Sequence, residues 1–305
     1  MSRSGRVSAR TGVTESRHLL GVLLVVASAV AFSLAGVLTK LIESDAWTIA
    51  CWRGLFGAIV IVLYVALRER GGTLRSILLL GWRGWLLATI GSLSSLAFIF
   101  AFKLTYVANV AIVYATAPFI AAALEWMIRG EGVRSSTMFA ASLSLLGVAI
   151  MVGAGAGSGA FAGDSLALAM TVGMALYMVM IRVFTETPVV LAGALSAFQL
   201  FILGWFVTEP LAVSQNDAVL LVLFGVVFAV ASVLLTEGAR LIPAAESGLL
   251  GSAETPLAIL FAWLILAELP PVTSLIGGVI VILAVSGHAG KDLLKASIER
   301  RRTAV

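Results

Sequence analysis

A carboxylate and a guanidinium lie inside long apolar stretches of this 305-residue chain. Glu254 precedes Pro256 by two residues, and Arg53 follows Trp52 near the start of another apolar run. The carboxylate could carry a proton or bind an ammonium group, and the guanidinium could hold a carboxylate through two parallel hydrogen bonds. Each also has a structural interpretation. Glu254 could hydrogen-bond a neighbouring helix, and the long Arg53 side chain could extend to the polar boundary of the membrane.

Two further polar residues occupy equivalent places in similar segments. Glu246 lies eight residues, or just over two helical turns, before Glu254, so the two carboxylates share roughly one face. Asn109 is the counterpart of Glu246 in the first half of the chain. Polar groups in apolar surroundings need partners, so both are candidates for binding or coupling. The alternative for Glu246 is that it reaches the membrane surface.

Four aromatic residues are candidates for lining a cavity: Phe98, Tyr114, Tyr177 and Trp263. Aromatic faces stack on planar molecules and attract cations. The hydroxyl groups of the two tyrosines lie deep in apolar runs, where each needs a hydrogen-bond partner. The alternative is that these rings face lipid, as many aromatic side chains of membrane proteins do.

Pro118 and Pro256 are expected to break the helices that carry these residues. Proline has no N–H and clashes with the preceding turn, so it frees backbone carbonyls that protein or water must satisfy. In membrane proteins such breaks are typical of helices that line a cavity.

The elements that must position these residues are predicted to be ten transmembrane helices. The chain is 60% hydrophobic and 12% charged, whereas a soluble domain is typically about 25% charged. Most of its surface must therefore face lipid. A span needs about 20 apolar residues, and such runs are predicted at 19–41, 47–67, 83–102, 106–127, 135–153, 164–184, 189–208, 218–238, 244–266 and 272–290.

The positive charges predict the direction of these spans. Seventeen of the 20 Lys and Arg residues lie in segments on the same side of the membrane as the amino terminus, and two lie in segments on the opposite side. By the positive-inside rule, both termini are cytoplasmic and the protein is a multi-pass protein of the cell inner membrane. Basic tails are predicted at 1–18 and 291–305. The first apolar run is too long for a usual cleaved signal.

The two halves of the chain resemble each other. Residues 102–109 recur about 137 positions later, and 21–40 lies over 163–182. Because each half has five spans, the halves enter the membrane from opposite sides. The predicted fold is an all-α integral membrane protein of two inverted five-helix repeats, 19–153 and 164–290, joined by a Gly-rich periplasmic linker at 154–163. Such duplication is typical of secondary transporters.

The paired proline and acidic residues of the two halves resemble the EamA branch of the drug/metabolite transporter superfamily. Pro118 with Glu131 and Pro256 with Glu268 carry the resemblance, together with the string Trp52-Arg53-Gly54-Leu55. The resemblance covers nearly the whole chain after residue 18. It implies a small-molecule carrier with a central cavity, similar in plan to the aromatic amino-acid exporters. Other members import compounds such as S-adenosylmethionine or riboflavin.

Other classes of function lack their usual sequence features. The chain has no H-E-x-x-H or G-x-S-x-G motif for an enzyme and no G-x-x-x-x-G-K-[ST] loop for ATP hydrolysis. A membrane anchor needs no duplication, and a passive channel would transport without saturation. The net charge of +4 comes from the connecting segments and does not indicate nucleic-acid binding.

The favoured hypothesis is therefore a secondary transporter that exports amino acids with aromatic or other apolar side chains. The alternative is import of a metabolite such as riboflavin or S-adenosylmethionine. The expected partners are a small-molecule substrate, the lipid bilayer and, as one candidate for the driving ion, the proton. We expect no cofactor and no metal ion. Small residues in the fifth and tenth spans leave a homodimer open.

Overall fold

The computed structural model describes residues 3–69, 80–130, 135–154, 160–285 and 287, and within them all the regular secondary structure is α-helical. Nine apolar segments of this described part are long enough to cross a membrane, and the tenth, Val272–Val285, is shorter. The nine are Arg17–Leu41, Ala46–Arg68, Gly81–Leu104, Val107–Ile128, Ser135–Gly153, Phe161–Val183, Val189–Val207, Gln215–Ala239 and Glu246–Leu266. We number these ten segments as spans one to ten. Nine of the ten predicted spans are confirmed as long apolar helices with small shifts in the boundaries, and the tenth is a shorter apolar helix in the described part of the chain.

Three of the ten spans are broken. The first consists of helices Arg3–Ser33 and Ala35–Leu41. The fourth consists of Val107–Tyr114 and Ala117–Arg129, and the ninth of Ala244–Gly251 and Glu254–Leu266. The breaks in the fourth and ninth spans lie just before the two prolines, as predicted. The break in the first span has no proline and was not expected.

At each break a short hydroxyl side chain donates to the carbonyl three residues earlier. Ser33 donates to Val30 at 2.6 Å, Thr116 to Val113 at 2.7 Å and Ser252 to Leu249 at 2.6 Å. These bonds satisfy a carbonyl at the point where the regular ladder is interrupted, which an apolar surrounding requires.

The segments outside the spans differ in part from the sequence prediction. The backbone is helical from Arg3, because no proline or turn signal separates the basic residues from the first span. Of the predicted linker at 154–163, Ala154 belongs to the fifth-span helix and residues 161–163 belong to the sixth-span helix. Glu131, the 291–305 tail and the middle of the linker lie outside the described residues.

Glycines let several spans approach closely. A Cβ atom placed on Gly54 would lie 2.4 Å from the carbonyl oxygen of Ala197, so the second and seventh spans touch backbone to backbone. Gly147 and Gly277 make a similar contact between the fifth and tenth spans. The small residues of the fifth and tenth spans left a homodimer open. At these two glycines, the two spans pack against each other within one chain.

Polar contacts between span ends fall into two groups. In the first group, which we call the His18 face, His18 pairs with Glu246 at 3.0 Å. In the second, the Lys40 face, Lys40 pairs with Glu268 at 2.7 Å. Further contacts at the His18 face are Arg68–Glu237, Arg240–Glu237 and Arg182–Glu125, and further contacts at the Lys40 face are Ser44–Asp217, Thr48–Thr208 and Thr105–Asp164.

Candidate functional site

A small cavity of about 20 Å³ lies where the three broken spans meet. A cavity of this size has room for about one water molecule. Its lining residues come from the first, third, fourth, sixth and ninth spans: Phe32, Ser33, Gly36, Phe98, Phe102, Val110, Ala111, Tyr114, Met170, Glu254, Thr255 and Ala258. The wall is mostly apolar, and Glu254 is its one ionisable carboxyl group among the described residues.

Glu254 begins the second half of the ninth span, directly after the break. Its carboxylate therefore lies in the first turn of a helix, where unpaired N–H groups and the helix dipole favour negative charge. Tyr114 ends the first half of the fourth span and lines the same cavity. No hydrogen bond joins Glu254 to any residue that the structure describes, so its carboxylate is available to a ligand.

Arg53 is buried, with 2% of its surface exposed. Its Nη2 donates to Ser95 Oγ at 2.6 Å, and its Nε has no partner among the described residues. The guanidinium carbon lies 4.3 Å from the ring centre of Phe228, 5.5 Å from Phe224 and 5.8 Å from Phe98. Among described residues no carboxylate lies within ion-pair distance of it. Arg53 is thus a buried cation held by aromatic faces.

The aromatic rings around Arg53 also form the cavity wall. Phe98 contacts the guanidinium and lines the cavity. Phe32, another lining residue, packs edge-on against Phe228 with ring centres 5.8 Å apart. One aromatic layer therefore touches the cavity of Glu254 on one side and Arg53 on the other. The carboxylate of Glu254 and the guanidinium of Arg53 are thus separated by a layer of aromatic side chains.

The comparison with known proteins agrees with this architecture. The model of the EamA-like transporter family matches residues 19–153 and again residues 161–288. The chain belongs to the EamA-like transporter family. It carries two EamA repeats, which confirms the internal duplication and the family resemblance.

Among solved structures, one chain described as "Crystal structure of protein" is similar to this EamA-like protein. It has a TM-score of 0.60 and 19% sequence identity, and the match covers 89% of this chain and 96% of that chain. At that identity the similarity concerns the fold. No curated protein matches the sequence significantly. With its apolar spans, the chain is a multi-pass membrane transporter of small molecules.

The structure brings some of the predicted site residues together and separates the others. Glu254, Tyr114 and Phe98 share the cavity. Glu246 lies at the His18 face, paired with His18, rather than at the cavity with Glu254. The break at Ser252 and Ala253 separates the two carboxylates, so the helical spacing that placed them on one face does not apply.

Asn109, Tyr177 and Trp263 also lie away from the cavity. Asn109 is buried and donates from its amide to Asp164 at 3.0 Å. Tyr177 packs among apolar residues of the third and seventh spans. Trp263 is 54% exposed on the outer surface of the bundle, where lipid would be. Pro118 is exposed, and Pro256 lines an apolar surface groove next to the tenth span rather than the cavity.

The Lys40–Glu268 pair connects three of the spans that line the cavity. Lys40 ends the first span, and Glu268 follows the ninth. The second carboxylate oxygen of Glu268 accepts the backbone N–H of Val107, the first helical residue of the fourth span, at 2.5 Å. These contacts join the ends of the first, fourth and ninth spans at the Lys40 face.

Sequence reasoning missed Asp164 and the role of Lys40. Asp164 is fully buried, but it lies only four residues into the sixth-span helix, so it could pass for a segment end. A carboxyl group directly after a glycine-rich linker and before an apolar run was the available signal. The pairing of Lys40 with Glu268 depends on tertiary structure and has no local signature.

Proposed function

We propose that this EamA-like protein is a secondary transporter that exports amino acids with aromatic or other apolar side chains, and related compounds, by alternating access. The proposal rests on the cavity described above. Glu254 lies at one wall, and Arg53 lies behind the aromatic side chains Phe98 and Phe32 of another wall. A zwitterion with an apolar side chain needs an anion, a cation and an apolar surface, and these three are adjacent here.

In this proposal Glu254 binds the substrate ammonium group and Arg53 binds the substrate carboxylate. Phe98 and Phe32 must turn aside when substrate enters, because their rings now separate the cavity from the guanidinium. The displaced rings then stack on an apolar or aromatic substrate side chain. A cavity of about 20 Å³ is too small for any amino acid, so in this proposal the site must widen when substrate enters.

We further propose that the two EamA repeats are inverted, with both termini in the cytoplasm and the chain in the inner membrane. The contacts of the span ends support this: ends expected on one side meet at the His18 face, and those expected on the other meet at the Lys40 face. Lys40 and Arg182 are equivalent by the repeat, and each pairs with a carboxylate from the end of a broken span, Glu268 and Glu125.

Uptake into proteoliposomes of labelled solutes tests the proposed substrate. The panel contains aromatic and aliphatic amino acids, S-adenosylmethionine and riboflavin, with and without a proton gradient. We expect saturable uptake of aromatic or branched amino acids. A signal for riboflavin or S-adenosylmethionine alone would keep the transporter fold and reject the amino-acid substrate. Uptake that never saturates would reject the carrier mechanism.

Two aromatic substitutions provide a matched comparison in that assay. Phe98→Leu removes a ring that lines the cavity and faces Arg53, whereas Trp263→Leu removes a larger ring from the outer surface. We expect the first to weaken uptake of aromatic amino acids and the second to leave it close to the wild-type value. Equal effects would argue against the cavity as the substrate site.

A further inference from the structure

A groove of about 290 Å³ lies on the outer surface of the bundle, between the fourth, ninth and tenth spans. Ala108 and Ile112 line it from the fourth span, Pro256 and Ile259 from the ninth, and four residues within 275–282 from the tenth. We call this surface the outer groove. Its volume is close to the lower end of the range for small-molecule sites, about 300–1,000 Å³, so it has room for a sizeable part of a ligand.

The outer groove lies at the depth of the lipid tails. Pro256 is the middle residue of the 21-residue ninth span. Ile112 is the sixth residue of the fourth span, which begins at the Lys40 face. The groove therefore extends from the middle of the membrane toward that face. The middle of a spanning helix lies in the hydrocarbon core, which is about 30 Å thick, so the groove opens toward lipid tails.

The lining of the outer groove is apolar. Its described lining residues have hydrocarbon side chains or, at Gly278, none, so their side chains offer neither charge nor hydrogen bond. A bound water molecule needs several polar partners, and apolar cavities stay dry. An amino acid would leave both of its charged groups unpaired here. An uncharged, flexible hydrocarbon chain matches this surface.

The outer groove is continuous with the lipid-facing surface of the bundle. Leu275 and Val279 at its edge are exposed, and so are their tenth-span neighbours Ile276 and Leu283 outside it. A second helix would need small residues for close approach. The glycine of the groove is already packed inside the chain, because a Cβ atom on Gly278 would lie 2.5 Å from Ile112. A lipid tail therefore fits the groove better than a second copy of the chain.

The fourth and ninth spans separate the outer groove from the cavity of Glu254. Ala111 lines the cavity and Ile112 lines the groove, and Thr255 and Pro256 divide in the same way. Thr255 Oγ1 donates to the carbonyl of Ala111 at 3.5 Å, at the limit of hydrogen bonding. This polar contact between the two spans is therefore weak. If the spans move outward as the cavity widens, they take up the space of the groove.

We propose that the outer groove binds one acyl chain of a membrane lipid, and that the bound chain holds the fourth and ninth spans in the arrangement that keeps the cavity small. The second part rests on the proposed alternating-access transporter, in which substrate entry widens the cavity. The chain leaves the groove when these spans move outward and returns when they move back.

Photocrosslinking in nanodiscs tests the binding without any substrate. The probe is a phospholipid with a diazirine in the middle of one acyl chain, and mass spectrometry locates its adducts. We expect more adducts at Ile259, which lines the groove, than at Leu260, which lies at the same depth outside it and is more exposed. Val279→Trp fills the groove from the tenth span and should lower the adducts at Ile259 severalfold. Leu283→Trp, on the same span but outside the lining, should leave them unchanged.

A second filling variant keeps the test decisive if Val279→Trp does not fold. Leu275→Trp enlarges another exposed residue of the same lining and should have the same effect. Equal adducts at Ile259 and Leu260, or adducts at Ile259 that neither filling variant lowers, would overturn the acyl-chain site. A disulfide between two copies of Val279→Cys in membranes, without lipid adducts at Ile259, would assign the groove to a second copy and also overturn it.

The access of reagents to the cavity tests the second part of the proposal. Ala258 lines the cavity, and a tryptophan in the groove replaces the lipid chain permanently. An Ala258→Cys variant should therefore react severalfold more slowly with a membrane-impermeant thiol reagent when it also carries Val279→Trp, and at an unchanged rate with Leu283→Trp. An unchanged rate with Val279→Trp would overturn the link between groove and cavity. Neither experiment uses an amino acid, so failure of amino-acid uptake would reject the proposed substrate alone.

Discussion

Replacing Lys40 by Gln should open the face that the Lys40–Glu268 pair closes. The pair is 2.7 Å long, with side-chain exposures of 24% and 11%, so it lies between an exposed and a buried ion pair. Exposed pairs contribute about 0–1 kcal/mol, and loss of one partner of a buried pair costs about 3–5 kcal/mol. We expect Lys40→Gln to shift the closed-to-open equilibrium by about 1–3 kcal/mol, which is about 5- to 150-fold.

Cysteine labelling measures that shift. Ala258 lines the cavity, so a membrane-impermeant thiol reagent should modify an Ala258→Cys variant faster, by the same factor, when Lys40 is also Gln. The parent chain, whose Cys51 is buried, gives the background. Lys103→Gln is the matched control, because Lys103 lies at the same face and, among described residues, donates to the carbonyl of Ile42 rather than to a carboxylate. The charge swap Lys40→Glu with Glu268→Lys should restore part of the slow labelling, because it remakes the ion pair but a lysine at position 268 cannot accept the N–H of Val107. If the labelling rate of Ala258→Cys were the same in all these backgrounds, the Lys40–Glu268 pair would not be what closes this face.

Three other substitutions have defined outcomes. Arg53→Met should keep or raise the melting temperature, because it removes a buried charge that has no carboxylate partner among the described residues. The same substitution should weaken substrate affinity by about tenfold or more. A normal KM would contradict the binding role. Gly54→Val should abolish folded protein in size-exclusion chromatography, because even a Cβ atom would lie 2.4 Å from the carbonyl oxygen of Ala197; a monodisperse variant would contradict the close packing.

Burial raises the pKa of Asp45, but hydrogen bonds from Thr48 and Trp47 outweigh it, so the pKa lies below the ordinary 3.8. Asp45 therefore stabilises the second span above about pH 4 and loses that effect as pH falls through its lowered pKa. Asp45→Ala should cost about 1 kcal/mol at neutral pH and little in acid; thermal melts of both proteins across pH check this.

Much of the architecture follows from the apolar pattern. The spans, the duplication and the breaks before Pro118 and Pro256 could be predicted, because lipid exposure and proline act locally. The break at Leu34 could not, since it depends on Ser33 bonding back to Val30 rather than on a proline. Predicted helix-face relations also failed across a break, as the separation of Glu246 from Glu254 shows.

The candidate site was predictable only in part. The cavity residues Glu254, Tyr114 and Phe98 were found because a polar or aromatic group in an apolar run is visible in the sequence. Arg53 was found in the same way, but its aromatic surroundings come from three different spans. Asp164 was missed because its position next to a loop gave no sign that other spans would bury it completely.

The most direct test of the central claim combines substrate analogues with site variants. Competition by an amino acid, by its amine without the carboxylate and by its acid without the ammonium is measured in the wild type, Glu254→Gln and Arg53→Met. If Glu254 binds the ammonium group, the analogue without that group should compete about tenfold or more weakly than the amino acid in the wild type, and almost equally in Glu254→Gln. If Arg53 binds the carboxylate, the analogue without the carboxylate should show the same pattern in the wild type and Arg53→Met. Equal losses in the wild type and both variants would contradict the proposed substrate site.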